Sequence, residues 1–292
     1  MKNDSIMIRE CEQGEIEELA RFAYRINGMQ EHSSAFCSRS LEAIHRDFEQ
    51  GIASESAFLC RRDGQLMGVL SGYIDYDKNN TDCSLLIEPQ EVYVDIAAKL
   101  FDALQRGLSP SMKYTFFFPK ENTRCSAFLD QAGARREVNE YALVLHRGRE
   151  KLAVSSFSIK ELLPEYYGQF VKLHDSIFPG IYISGREIID DIGKGHIVYG
   201  MLDETGMTAY SVLRLNGEKR VTAEIVGVRE DCRHKGYGRA ILSHLIEEAF
   251  KKHGTDRVDL IVDGDNENAI SLYLQLGFVV EGENCCYVLQ RD

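Results

Sequence analysis

Between Val228 and Ile241 the chain reads Arg229-Glu230-Asp231-Cys232-Arg233-His234-Lys235-Gly236-Tyr237-Gly238-Arg239-Ala240. Glycines at 236 and 238 let backbone N–H groups turn toward a bound oxyanion with no Cβ in the way. The apolar residues from Ile241 onward belong to a helix, whose free first-turn N–H groups and positive dipole end strengthen the same attraction. Arg233, His234, Lys235 and Arg239 concentrate positive charge in an otherwise acidic chain. Such a turn suits a phosphate or pyrophosphate. It is not a Walker loop, because no Gly-Lys-Ser/Thr follows an earlier glycine at the required spacing. Nor is it a Rossmann fingerprint, because Ile241 stands where a third glycine or alanine belongs. Taken alone, Arg-x-x-Gly-x-Gly is a weak string that an ordinary strand-to-helix turn also satisfies.

Further along comes Asn266-x-x-Ala269-x-x-Leu272-Tyr273-x-x-x-Gly277-Phe278. Together the two segments resemble the GNAT superfamily of acyl-CoA-dependent N-acetyltransferases, the first its acetyl-CoA loop and the second its N-x-x-A-x-x-L-Y-x-x-x-G-F signature. The resemblance covers most of 155–292. It implies that the strand Val226-Gly227-Val228 splays from its neighbour and pairs with the pantetheine arm. It implies that the amides of Arg233, His234, Lys235, Gly236, Tyr237, Gly238 and Arg239 hold the pyrophosphate of acetyl-CoA, a co-substrate used without a metal. Asn266 matches a position that contacts the cofactor arm, and reads equally as a helix N-cap. Tyr273 matches the tyrosine that protonates the departing thiolate, and reads also as a core aromatic. The backbone N–H of Val228 would stabilise the oxyanion. The base that deprotonates the amine would be Glu224, sharing a strand face with Val226 and Val228 by period two, unless water relays the proton; His196 and Glu187 are weaker candidates. Phe178 and Tyr182, in the loop Phe178-Pro179-Gly180-Ile181-Tyr182-Ile183, would line the acceptor pocket.

These residues need a scaffold. Apolar spacing predicts a helix over 161–177, with Pro164 in its first turn. Ser184-Gly185-Arg186-Glu187 is a capping box. Strands are expected at 197–202, 207–215 and 221–228, with a hairpin at Asn216-Gly217. Ile241, Leu242, Leu245, Ile246, Ala249 and Phe250 form one helical stripe. A strand at 258–262, a helix at 268–276 stopped by Gly277 and a strand from Val279 complete a mixed α/β unit.

The first half carries the same plan. Asn122 to Arg147 aligns without a gap on Asn266 to Arg291 at an offset of 144, and Phe116-Phe117-Phe118 falls on Leu260-Ile261-Val262. The expected architecture is α/β, two tandem GNAT-like domains, each a mixed, mostly antiparallel twisted sheet flanked by helices. They would span 1–147 and 148–292, the second catalytic. In the first, the glycine loop becomes Glu88-Pro89-Gln90-Glu91-Val92-Tyr93, with no glycine and two carboxylates, and Leu129 stands in the place of Tyr273. Loss of CoA binding there is expected.

Charge limits the partners. Lys+Arg number 34 and Asp+Glu 46, a net charge of −12 over 292 residues. That field repels nucleic acid and anionic membranes and favours cationic acceptors. No apolar run approaches the ~20 residues of a membrane helix, and the first residues show no signal-peptide core. The eight cysteines have no Cys-x-x-Cys pair, which reads as reduced thiols in the cytoplasm. The expected activity is N-acetyl transfer from acetyl-CoA to a primary amine of a small molecule or peptide. A catalytically silent acyl-CoA sensor and an interaction protein with degenerate repeats are the alternatives.

Overall fold

The computed structural model describes residues 6–152, 157–216 and 220–290. Two compact units emerge, Met1–Glu140 with Glu283–Asp292, and Tyr141–Gly282.

The first unit runs β1 (Ile6–Glu10), α1 (Ile16–Asn27), α2 (Leu41–Ala53), β2 (Ala57–Arg62), β3 (Gln65–Asp75), β4 (Asn80–Ile87), α3 (Tyr93–Arg106), β5 (Lys113–Pro119), α4 (Thr123–Gln131) and the short β6 (Arg135–Arg136). The second follows with β7 (Glu140–His146), β8 (Ile159–Glu161), α5 (Tyr167–Ile177), α6 (Gly185–Asp190), β9 (His196–Asp203), β10 (Gly206–Leu215), β11 (Val221–Val228), α7 (Tyr237–Lys251), β12 (Arg257–Asp263) and α8 (Glu267–Leu276). The last strand, β13 (Val279–Gln290), pairs antiparallel with β5 from Asn284 onward, so the chain's end completes the first unit. The second unit instead has β7 beside β12. The sequence repeat divides the chain at 147–148, and the compact units divide it after Glu140 and after Gly282. The duplication itself is visible in detail. Asn122 and Asn266 cap α4 and α8 by accepting from Cys125 N and Ala269 N, at 3.1 and 3.2 Å. Gly133 and Gly277, after those helices, both have positive φ.

Each sheet is mostly antiparallel and covered by helices on both faces. In the second unit α7 buries Ile241, Leu242, Leu245, Ile246 and Ala249 against one face, while Phe170, Ile188 and Ile189 of α5 and α6 cover the other. Burying each such aliphatic side chain contributes about 1.5–3 kcal/mol. The helix expected from 161 starts later: Ile159–Glu161 is strand, and Pro164 opens a 3₁₀ turn that leads into α5. Proline lacks an N–H and fits a first turn, which delays the regular helix. Gly217 of the expected hairpin lies outside the described residues.

The first unit holds an acid-sensitive contact. Arg9 Nη2 lies 2.6 Å from Glu15 Oε1, and Arg61 Nη2 lies 3.1 Å from the same oxygen. The Arg9 hydrogen bond is the main reason the Glu15 carboxyl is held down at about 2. A carboxyl depressed on folding stabilises above its unfolded value near 4.5 and loses that contribution as pH falls toward about 2. Glu15→Gln is expected to be less stable than the native chain at pH 7 and to lose less stability between about pH 4.5 and 2. Denaturant unfolding at a series of acidic pH values checks this.

Candidate active site

β11 carries the first part of the site. It pairs with β10 along its length, but with β12 only at Val221↔Val258 and Thr222↔Asp259. Beyond Thr222 the two parallel strands part. Arg229 N donates to Thr208 O at 2.9 Å. In an antiparallel ladder alternate residues point their backbone groups to opposite edges. Val228 and Val226 therefore turn their N–H and C=O away from β10 and into the splay.

The turn after β11 supplies the second part. His234 and Gly236 are left-handed, with φ +60° and +85°. A Cβ on Gly236 would meet nothing within 4 Å, so the backbone there is open. Gly236 is the N-cap of α7 and no side chain caps it. The first-turn amides of Tyr237, Gly238 and Arg239 thus face outward at a helix of 15 residues. Arg233, His234, Lys235 and Arg239 make no ion pair among the described residues. Their hydrogen bonds go to neutral acceptors, such as Arg233 Nε to Val228 O at 3.3 Å and Arg239 Nη1 to Gln275 Oε1 at 3.0 Å. Uncapped amides, an open glycine and uncompensated cations fit a diphosphate. Among the described residues, no group of three or more His, Cys, Asp and Glu could hold a metal ion.

α8 brings the second motif to the same place. A Cβ on Gly238 would lie 3.6 Å from Val228 Cγ2 and 3.7 Å from Leu272 Cδ2. Leu272 and Tyr273 pack against the α7 core together with Val226 and Val228. Tyr273 is half-buried, with its ring 5.9 Å from that of Phe278. Its hydroxyl makes no hydrogen bond among the described residues, and burial pushes the phenol up to about 12. The Asn266 side-chain oxygen serves as the α8 cap.

Glu224 lies elsewhere than period two suggests. The β10–β11 register shifts between Val212 and Leu213, opposite Glu224. This bulge turns Val226 and Val228 toward α7 and Ile225 toward α5 and α6. The Glu224 carboxylate instead accepts from Tyr182 Oη at 2.9 Å and Arg214 Nη1 at 3.2 Å, and lies 2.6 Å from His196 Nε2. His196 Nδ1 is 2.7 Å from Asp191 Oδ2. Both ring nitrogens thus face carboxylates. With side-chain exposures of 5% and 8%, Glu224 and His196 form an enclosed polar cluster. Asp191 and Arg214 are members that sequence reasoning missed. Glu187 serves the capping box, where its carboxylate receives Ser184 N at 2.7 Å. Tyr182 is exposed and reaches the cluster, whereas Phe178 ends α5 and packs inward near His174.

Comparison with known proteins bears on these features. Residues 162–278 match the model of the acetyltransferase (GNAT) family. A mycothiol acetyltransferase of Corynebacterium aurimucosum is 36% identical over 63 residues, 22% of this chain and 20% of that one. The [ribosomal protein bS18]-alanine N-acetyltransferase of Escherichia coli is 30% identical over 95 residues, 32% of this chain and 63% of its own. The matched part thus spans a fifth to under two thirds of these relatives. A GCN5-related N-acetyltransferase from Sphaerobacter thermophilus shares the fold at TM-score 0.77 and 13% identity, covering 97% of this chain and 95% of its own. A tandem GNAT protein from the clavulanic acid biosynthesis pathway does so at 0.69 and 12%, covering 99% of each chain. The family match falls on the unit that carries the splayed strand, the uncapped glycine turn and Tyr273, and over residues 162–278 the chain is similar to the acetyltransferases of the GNAT family.

Proposed function

We propose that the second unit transfers an acetyl group from acetyl-CoA to a primary amine of a small molecule or peptide by direct attack. The observation that carries this reading is the parting of β11 from β12 directly before the uncapped turn of α7. Acetyl-CoA would bring the activated thioester. The amides of 233–239 and the cations around them would hold its diphosphate, and the edge at Val226–Val228 that faces the splay would pair with its arm. The Val228 N–H would donate to the thioester oxygen as negative charge develops there; one such donor is typically worth ~10²–10³ in rate. Tyr273 would give its proton to the leaving sulfur. Glu224 would take the proton of the amine, held in place by Tyr182, Arg214 and the His196–Asp191 pair. Its carboxylate, together with the chain's acidic field, favours a cationic acceptor. The E. coli relative is named for N-acetylation of an alanine, which is consistent with an amine acceptor.

The first unit differs at the matching place. β4 also parts from β5, pairing only from Asn80 to Cys83. Its following loop, however, points carbonyls inward: Arg124 donates to Pro89 O and Glu91 O, and its guanidinium lies 5.3 Å from the Tyr93 ring centroid. A cation of the chain itself fills the position that would need amides for an anion. We therefore assign one acetyl-CoA per chain. No helix among the described residues is long and apolar enough to cross a membrane. The free cysteines, nearly all buried, suit a reducing compartment, and we place the protein in the cytoplasm.

Calorimetric titration with acetyl-CoA tests the reading. The native chain should bind one equivalent. Gly236→Glu should bind roughly a hundredfold more weakly or not at all, because a carboxylate would face the diphosphate. Gly236→Asn, which tolerates a left-handed backbone, should retain binding. Equal affinity in the glutamate variant would remove the turn from the site. Binding without thiol release across a broad amine panel would assign the chain to acyl-CoA sensing instead.

A further inference from the structure

In the first unit, α1 and α2 cover a cavity of about 250 Å³ against the sheet face formed by β3 and β4. At a share of about 30 Å³ per water, it has room for roughly eight waters, or a ligand of similar atom count. Phe36, Phe48 and Tyr73 line it, and so do Asp47 and Asp82; none of its lining residues is basic. The β4–β5 register explains why there is space. Thr81 pairs with Tyr114 as Val221 pairs with Val258, and Tyr114 and Val258 are repeat equivalents at the 144-residue offset. Three residues on, Ser84 stands where the second unit has Glu224. A small hydroxyl replaces the carboxylate around which Tyr182, Arg214 and His196 gather.

The cavity wall carries polar groups as well as rings. Ser84, 6% exposed, lines it and is hydrogen-bonded to the Cys37 thiol. Asp82 is half-buried and receives Asn80 Nδ2 at 2.8 Å, and no ion pair reaches it or Asp47 among the described residues. Burial makes the Asp82 carboxylate costly to keep ionised, and the charge of Lys78 offsets this only in part. Aromatic rings beside it attract a cation through their faces. Phe36 is itself held by Phe117, with ring centroids 5.8 Å apart, so this wall is fixed.

We propose that the first unit binds a small organic cation, an ammonium group on an apolar body, with the ammonium at Asp82 and Ser84 and the body against Phe36 and Phe48. This site is separate from the acetyl-transfer site and does not depend on that reading.

The test is calorimetric titration of the full chain with phenethylammonium, and with 2-phenylethanol as its neutral counterpart. Phenethylammonium is expected to bind saturably in the millimolar range or tighter, roughly tenfold or more above the neutral probe. Asp82→Asn keeps an oxygen for Asn80 and should weaken the cation roughly tenfold. Asp47→Asn, at the exposed rim, should weaken it less, and Ser84→Leu should abolish binding by filling the space. Glu224→Gln reports any binding of the amine at the second unit's acceptor site, and binding lost wholly in that variant belongs there rather than to the cavity. Equal affinity for both probes, an unaltered titration in Asp82→Asn, binding lost wholly in Glu224→Gln, or no saturable binding would each overturn the proposal.

Discussion

Tyr273→Phe is expected to lower turnover by roughly 10²–10⁴-fold, the usual contribution of a positioned general acid, with little change in acetyl-CoA affinity. The hydroxyl is free of hydrogen bonds among the described residues, while the ring is anchored beside Phe278. Replacing it with hydrogen therefore leaves no buried group orphaned, and the fold should be indifferent. The difficulty for an acid role is energetic. Burial holds the phenol near 12, against about 8.5 for a free thiol, so protonating a thiolate from this tyrosine is uphill in the unliganded protein. A specific pH signature follows. A phenol raised to about 12 stays protonated through the neutral range, so the rate profile should contain no limb from Tyr273 between about pH 6 and 10. The phenylalanine variant should lower that profile without changing its shape. Unchanged turnover would reduce Tyr273 to a packing residue. A changed shape would mean that the substitution had disturbed Glu224 and its partners instead.

The ease of reading this chain varied with the range of the interactions. Local signals were legible. Asn266 caps its helix, Ser184 and Glu187 form their box, and β11 runs from Val221 to Val228 as its alternation suggests. The glycine turn was legible because left-handed backbone at Gly236 is a property of one residue and its neighbours. Bulges were not. Counting back from the Asp203–Gly206 turn would set His196 opposite Leu213; a register shift near Met207 sets it opposite Arg214. A second bulge, at Glu224, turns that carboxylate from Val226 and Val228 toward Arg214 and His196. One extra residue reverses the face of everything beyond it, and no residue type announces it. The placement of the last strands was hidden for a related reason. Tyr141-Ala142-Leu143-Val144-Leu145 and Cys285-Cys286-Tyr287-Val288-Leu289 present nearly the same apolar pattern. Either could complete either sheet, and only long-range packing puts β13 beside β5.

Gly227→Ala is expected to be among the most damaging single-methyl changes in the second unit. Gly227 sits between the two valines whose backbone edges line the splay, directly across from Tyr210. A Cβ there would lie 2.3 Å from Tyr210 Cε1 and 2.5 Å from Cζ. The ring has nowhere to go. Tyr210 is fully buried, packs edge-on to Phe170 with centroids 4.8 Å apart, and shares a 2.9 Å hydrogen bond with His174 Nδ1. Overpacking typically costs about 1–3 kcal/mol. Displacing the hydroxyl from a buried histidine adds a comparable amount, roughly 1–3 kcal/mol. The expected loss is thus about 2–6 kcal/mol, read as a lowered midpoint in denaturant unfolding. Tyr210→Phe should not rescue it, because Cε1 and Cζ remain. Tyr210→Leu should, so that the double variant is more stable than Gly227→Ala alone even though Tyr210→Leu is itself destabilising. Additive losses, or a Gly227→Ala midpoint within about 0.5 kcal/mol of native, would show that β11 shifts freely at this point. That outcome would also weaken the functional reading, which needs Val226 and Val228 held still. If β11 is as rigid as its contact with Tyr210 implies, the part of Gly227→Ala that stays folded should bind acetyl-CoA more weakly, because the strain is relieved by moving the backbone that lines the splay.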